Sequence, residues 1–292
     1  MRARTSCCLM LAAALAVAWA STAGAAVLPE DRADALYHRY EGGGVTVDGP
    51  SLLVRKKIGE NYSVAANYYM DFVSSASIDV LTQASPYKEE RRQASLGFDM
   101  LNGRTQYSVA YTNSDESDYT ANTASFDLSQ SLFGDLTTLS FGFSRAWDDV
   151  SKQGDPAFHE TVDRWAYRVS LDQIVTPQLS TGLVVESISD EGYLNNPYRS
   201  ARYLDPDVAT GFAWEPEVYP NTRNSTAVSV NAQYFVWYRA AIHGMYRYFT
   251  DSWGVDASTV RVGYTHPIGD RWIVEFNYRW YDQSAADFYS DL

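Results

Sequence analysis

The chain has 292 residues, of which 20% are charged and 14% aromatic, and its formal net charge is −13. Its aromatic content excludes an intrinsically disordered chain, and its acidic balance excludes a nucleic-acid binder, because no basic stripe is present to neutralise phosphates. Both cysteines, Cys7 and Cys8, fall in a stretch expected to be removed, so the mature chain is expected to hold no disulfide and no thiolate metal site.

Residues 1–25 combine a basic start at Arg2 and Arg4, an apolar run from Cys7 to Ala20 and the small residues Ala23, Gly24 and Ala25. This is the three-part layout of a secretory signal peptide. The apolar run is short for a membrane helix, which needs about 20 residues, and no later stretch supplies one. An exported chain of this kind is either soluble or crosses a membrane with strands. Residues 26–50 read as an N-terminal segment with a possible first strand over 35–47, interrupted by Gly42-Gly43-Gly44. Residues 51–292 read as the main body, opening with a strand at Ser51–Lys57.

From there a period of two dominates. Val64, Ala66, Tyr68, Met70 and Phe72 alternate with Ser63, Asn67, Tyr69 and Asp71, and Ala94, Leu96, Phe98 and Met100 with Ser95, Gly97 and Asp99. Tyr107, Val109 and Tyr111 oppose Gln106, Ser108 and Thr112; Ala124, Phe126 and Leu128 oppose Ser125, Asp127 and Ser129; Leu139, Phe141 and Phe143 oppose Ser140, Gly142 and Ser144. The pattern recurs at 165–172, 228–233, 260–265 and 272–280, and is weaker at 179–188 and 240–249. Each such segment is a strand with one apolar and one polar face. Twelve to fourteen strands of roughly ten residues result, the length that a tilted membrane strand requires.

The connections also alternate. Tight turns are signalled at Gly59-Glu60-Asn61, Asn102-Gly103, Gly134-Asp135, Thr176-Pro177, Gly269-Asp270 and near Trp237 to Arg239. Between them lie longer polar stretches at 74–91, 114–121, 148–161, 190–224 and 251–256. Short turns on one side and long loops on the other follow the rule of outer-membrane barrels, whose short turns are periplasmic.

A soluble β-sandwich would alternate as well. Three features favour a barrel in lipid. The polar parity is built from Ser, Asn, Gln, Gly and mixed charges, whereas a solvated face would carry more Lys and Glu. Aromatic residues crowd the strand ends: Tyr62, Phe72, Tyr107, Tyr111, Trp147, Trp165, Tyr246, Tyr248, Trp272 and Trp280 suit a lipid–water boundary. Sandwich strands, moreover, average only about five or six residues. In hydrocarbon an open sheet edge leaves unpaired amides costing several kcal/mol each, which demands closure. The expected fold is therefore an all-β, antiparallel transmembrane β-barrel. The strand count leaves the last strand rising toward the outer side, so a barrel with both ends in the periplasm needs one more descending strand.

Several blocks carry a resemblance: Arg32-Ala33-Asp34-Ala35-Leu36-Tyr37-His38, Ser74-Ser75-Ala76-Ser77-Ile78-Asp79-Val80, Asn195-Asn196-Pro197-Tyr198-Arg199, Tyr203-Leu204-Asp205-Pro206-Asp207, Pro216-Glu217-Val218-Tyr219-Pro220-Asn221-Thr222-Arg223 and Tyr246-Arg247-Tyr248-Phe249-Thr250-Asp251. With Gly263-Tyr264-Thr265-His266-Pro267, they resemble the uncharacterised outer-membrane family catalogued as domain of unknown function 3570. The resemblance covers essentially all of the mature chain. It implies a barrel, with a C-terminus that is generally longer, and brings no substrate or catalytic residue to carry over.

The polar parity places Asp71, Asp99, Asp127, Arg168, Asp172, Glu186, His243, Arg247, Arg261, Glu275 and Arg279 toward the lumen. Such charges either select solutes by sign or neutralise one another across neighbouring strands. In the 190–224 stretch, Asp190, Glu191, Tyr198, Arg199, Tyr203, Asp205, Asp207 and Glu217 are candidates for a constriction or a binding loop. Calcium is the one ion such carboxylates would hold, although no EF-hand spacing is present; otherwise no cofactor is expected. Among the histidines His243 is the best placed for chemistry, yet no motif joins it to a nucleophile, and an enzyme is not expected.

The reading is an outer-membrane, porin-like passive channel for small solutes. Its alternatives are a non-conducting scaffold or surface-loop binding protein and, further off, a barrel hydrolase. The expected partners are outer-membrane lipid, together with periplasmic chaperones and the barrel-insertion machinery during assembly.

Overall fold

The computed structural model describes residues 27–42, 45–75 and 87–289. The expected signal peptide at 1–25, residues 76–86 of the stretch at 74–91, and Asp291 and Leu292 lie outside them. The strands are β1 (Arg32–Gly42), β2 (Val45–Ile58), β3 (Tyr62–Ser75), β4 (Tyr87–Asn102), β5 (Thr105–Asp115), β6 (Tyr119–Leu132), β7 (Thr137–Ser151) and β8 (His159–Thr176). They continue as β9 (Leu179–Gly192), β10 (Ser200–Leu204), β11 (Phe212–Pro216), β12 (Thr222–Phe235), β13 (Ala241–Asp251), β14 (Asp256–Ile268) and β15 (Trp272–Gln283).

Thirteen of them form one antiparallel sheet in up-and-down order, with β12 beside β9, while β10 and β11 make a separate hairpin. This is the all-β, antiparallel barrel-type architecture that the alternation predicts. β1 and β15 are the sheet edges, and among the described residues no ladder joins them.

The short turns fall where the sequence signals them. Gly59, Gly103, Gly134 and Gly269 adopt φ of +67°, +62°, +70° and +58°, which glycine enters without a Cβ penalty. At Trp237–Arg239 the reversal puts both Tyr238 and Arg239 in the left-handed region, at φ 61° and 62°.

Two expectations are corrected. The segment 35–47 is not one interrupted strand: β1 and β2 are separate antiparallel partners, with Gly42 opposite Val45. The long stretches are also shorter than expected, because the strands extend into them. The stretch at 114–121 reduces to 116–118, 148–161 to 152–158, and 190–224 to 193–221 with a hairpin inside it. Asp190 and Glu191 therefore belong to β9 rather than to a loop. The reason is physical. Sheet strands run from 11 to 18 residues, whereas about 9–11 residues span a membrane. Beyond the apolar band both faces of a strand are polar, as at Asp148 and Asp149, so alternation disappears from the sequence while the ladder persists.

Burial is inverted relative to a water-soluble protein. Ser63 is fully buried, and the buried polar set includes Asp71, Ser114, Asp148, Ser170, Asp190, Ser225 and Thr259. Leu96, Phe141, Val169, Leu183, Val230 and Phe276 are exposed. A soluble fold places these classes the other way round. The ten aromatic residues singled out from the sequence all lie on the apolar face. They form a lower ring with Tyr62, Tyr107 and Trp272 and an upper ring that includes Trp147, Trp165 and Trp280. Trp272 and Trp280 are eight residues apart on β15, about 26 Å along a strand, which matches an apolar band about 25 Å tall.

Candidate functional site

Direct register partners in a sheet share a face, so the ladders fix where each candidate side chain lies. Asp99, Ser108, Asp127, Gly142, Arg168, Glu186 and Ala227 form one unbroken row across β4 to β12. Following parity from this row places Asp71, Asp172, His243, Arg247, Arg261, Glu275 and Arg279 on the same face. All eleven residues expected on the polar parity thus lie on one side of the sheet.

They are partly paired. Ser108 donates to Asp99 at 2.6 Å. Glu186 takes Arg247 at 3.1 Å and Arg168 at 3.9 Å. One carboxylate on β9 meets a guanidinium from the adjacent β8 and another from β13, which lies beyond β12, and so balances charge where isolated ions would be costly.

Glycines let polar side chains cross a strand. His243 Nε2 lies 2.9 Å from Asn277 Oδ1, two strands away, and the strand between them presents Gly263, in register with both. A Cβ on Gly263 would fall 1.9 Å from that Nε2. Gly182 serves Asp172 and Asn231 in the same way, with their polar atoms 2.6–2.9 Å from where a Cβ would sit. His38 is register-paired with Gly49 and meets Asp71 on β3 at 2.8 Å. Tyr69 stacks on the His38 ring with centroids 4.7 Å apart.

A second polar tier lies toward the long-loop end. Arg164 pairs with Asp190, Arg223 Nε donates to Asp251 at 2.8 Å, and Tyr119 donates to Asp148 at 2.5 Å. Asp251 also accepts from the backbone N–H groups of Trp253 and Val255, each at 2.9 Å, so it ties the β13–β14 connection. Sequence reasoning missed Arg164, Arg223, Asp148 and Asp251, although continuing the parity of Arg168 along β8 and of Arg247 along β13 would have found Arg164 and Asp251. His38 carried no such signal, because its partner sits two strands away.

The candidates in the 193–221 loop do not converge on one site. Tyr198 reaches out to neighbouring loops. Its hydroxyl accepts from the Gln153 N–H at 2.8 Å, and partial desolvation together with the Asp118 carboxylate pushes its pKa up to about 12. Arg199 pairs with Glu217 at 4.0 Å. Tyr203 lies in β10, and Asp205 accepts from the Asp207 N–H at 3.0 Å in the turn before β11. Asp190 faces Arg164 instead, and Glu191 ends β9. Beside the Tyr198 contact, Gln153 donates to Ser117 at 2.8 Å and the Ser117 N–H donates to Glu89 at 2.9 Å. Burial holds Glu116 above the ordinary carboxylate pKa, against the pull of Arg91. Tyr219, Trp253 and Phe288 join three further segments, with ring centroids 5.3–5.7 Å apart. Among the described residues, no three His, Cys, Asp or Glu side chains group closely enough to hold a metal, calcium included.

A search of curated proteins finds no match. Among solved structures the chain is similar to the outer membrane transporter YddB from Escherichia coli, with a TM-score of 0.44 and 11% identity. That similarity covers 77% of this chain and 39% of the transporter, so the chain spans about two fifths of its length. The model of the family described as "Protein of unknown function (DUF3570)" matches residues 78–167 and 157–292, most of the thirteen-stranded sheet. With those two matches spanning well over half of the sequence, the chain belongs to the DUF3570 family.

Proposed function

We propose that this protein is an outer-membrane β-barrel, exported through a cleaved signal peptide, whose polar face encloses a passive pathway for small polar solutes. The supporting observation is the single shared face of all eleven predicted polar residues, set against an apolar face with aromatic rings at both ends. In lipid the apolar face is the stable exterior and the polar face must be enclosed. On this reading outer-membrane lipid is the principal surroundings, and periplasmic chaperones and the insertion machinery are transient partners.

Conductance of the purified protein in a planar bilayer tests the pathway. Discrete steps are expected; a silent bilayer with protein that is folded and inserted overturns it. The interlocked connections around Tyr198 and Trp253 favour, as the second reading, a surface-loop binding or scaffold protein. A hydrolase has less support, since His243 is engaged with the Asn277 side chain rather than with a nucleophile.

A further inference from the structure

The polar face carries an excess of guanidinium groups at one place. Arg261 on β14 and Arg279 on β15 are direct register partners. Both are exposed, and among the described residues neither enters an ion pair. Like charges placed directly opposite one another in a sheet repel, so this pair is unfavourable unless something anionic lies between or above it.

The neighbouring carboxylates are engaged elsewhere or too far off. Glu186 is shared by Arg168 and Arg247, and Asp251 is held by Arg223. Glu275 is four residues from Arg279 along the same strand, about 13 Å away. The rest of the patch is uncharged or cationic: Met245 is the register partner of Arg261, Thr259 lies two residues before it on β14, His243 closes on Asn277, and Arg279 lies 5.6 Å from the Tyr281 ring centre, which limits its freedom.

We propose that Arg261 and Arg279 form a subsite for a small oxyanion on the polar face, a carboxylate- or phosphate-bearing solute. Two planar forks side by side match the paired oxygens of such groups. The inference rests on the proposed pathway and adds the class of solute that it favours. Lipid headgroups are the lesser source of the anion, because this face is turned away from the bilayer.

The test is labelling of the detergent-solubilised, folded protein with phenylglyoxal, read arginine by arginine by mass spectrometry, with and without inorganic phosphate. Phosphate is expected to slow modification of Arg261 and Arg279 several-fold. It should leave Arg145, on the apolar face beside Asp163, unprotected. In Arg261→Gln the protection of Arg279 is expected to vanish. Equal protection at Arg145, no protection at all, or arginines that do not react in the absence of phosphate would each overturn the subsite. Bilayer recordings separate this outcome from the pathway itself. Protection without conductance leaves the subsite and refutes the pathway; conductance without protection does the reverse.

Discussion

His38 Nε2 lies 2.8 Å from Asp71 Oδ1, although a whole strand, β2, runs between the strands that carry them. Gly49 makes the crossing possible. It stands in register with His38, at the point where the β2–β3 ladder skips from Asp48 to Ser51. A Cβ at this position would fall 1.9 Å from the backbone carbonyl oxygen of Met70. A backbone atom cannot swing aside, so Gly49→Ala is expected to cost about 1–3 kcal/mol of folding stability through overpacking. Equilibrium unfolding in detergent micelles measures it, and an unchanged midpoint would show that the Gly49 position is not tightly packed.

Gly263→Ala makes the informative contrast. Its added methyl group meets the end of the His243 side chain rather than backbone. The ring can rotate away, giving up its hydrogen bond to Asn277, which is worth about 0.5–1.5 kcal/mol. The same unfolding experiment should rank Gly49→Ala as the more damaging of the two substitutions.

The apolar face fixes the strand register. Val169, at mid-strand in β8, is exposed and pairs with Val185 and Phe141. Val169→Arg places a cation against lipid and is expected to cost about 2–4 kcal/mol near the midplane, while Val169→Leu should change little. Folding titrations into lipid vesicles provide the comparison, and equal stability of the two variants would be incompatible with lipid at this face.

The loop network responds to pH through Glu116. Burial raises its pKa above the ordinary value of 4.5, while Arg91 opposes the shift and Glu89, Asp118 and Asp71 reinforce it. The folded state therefore holds this proton more tightly than the unfolded one. The resulting stabilisation is complete below the ordinary pKa and is lost as pH rises through the shifted value. Cleavage within 116–118 by an added protease should be slower near pH 5 than near pH 7.5, once corrected for the protease's own pH dependence on a denatured control. Glu116→Gln should flatten the profile, and a wild-type profile already flat would exclude the mechanism.

Tyr198 is the hydroxyl that joins the 193–221 loop to Gln153. Tyr198→Phe removes the hydroxyl's hydrogen bonds with the Gln153 N–H and with Asp118, each worth about 0.5–1.5 kcal/mol. It should speed hydrogen exchange in 152–155 and 195–200 and leave the amides of β13 to β15 unchanged. Uniform acceleration across the sheet would instead point to global destabilisation.

How far the chain could be read in advance follows from what alternation records. Where one face is apolar and the other polar, as at Phe126 against Asp127 or Phe141 against Ser140, parity assigns each side chain to its face of the sheet. At the strand tops, such as Asp148 to Ser151 and His159 to Asp163, both faces are polar, so alternation does not mark the strand ends and the loops read longer than they are. Partnerships such as His38 with Asp71 or His243 with Asn277 depend on the register of three strands at once. No single strand encodes that register, and the spare Arg261–Arg279 pair emerged only when the ladder was known.

The central claim is that Phe126, Phe141 and Phe276 face lipid while Ser125, Ser140 and Asn277 face the enclosed polar side. Nitroxide labels at single cysteines introduced at these six positions, in protein lacking residues 1–25 and hence Cys7 and Cys8, test it directly once the protein is reconstituted in bilayers. The account predicts that the three Phe sites collide preferentially with dissolved oxygen and the three polar sites with a water-soluble nickel chelate. The opposite pattern, with the Phe sites shielded from lipid and the polar sites in contact with it, would contradict the account.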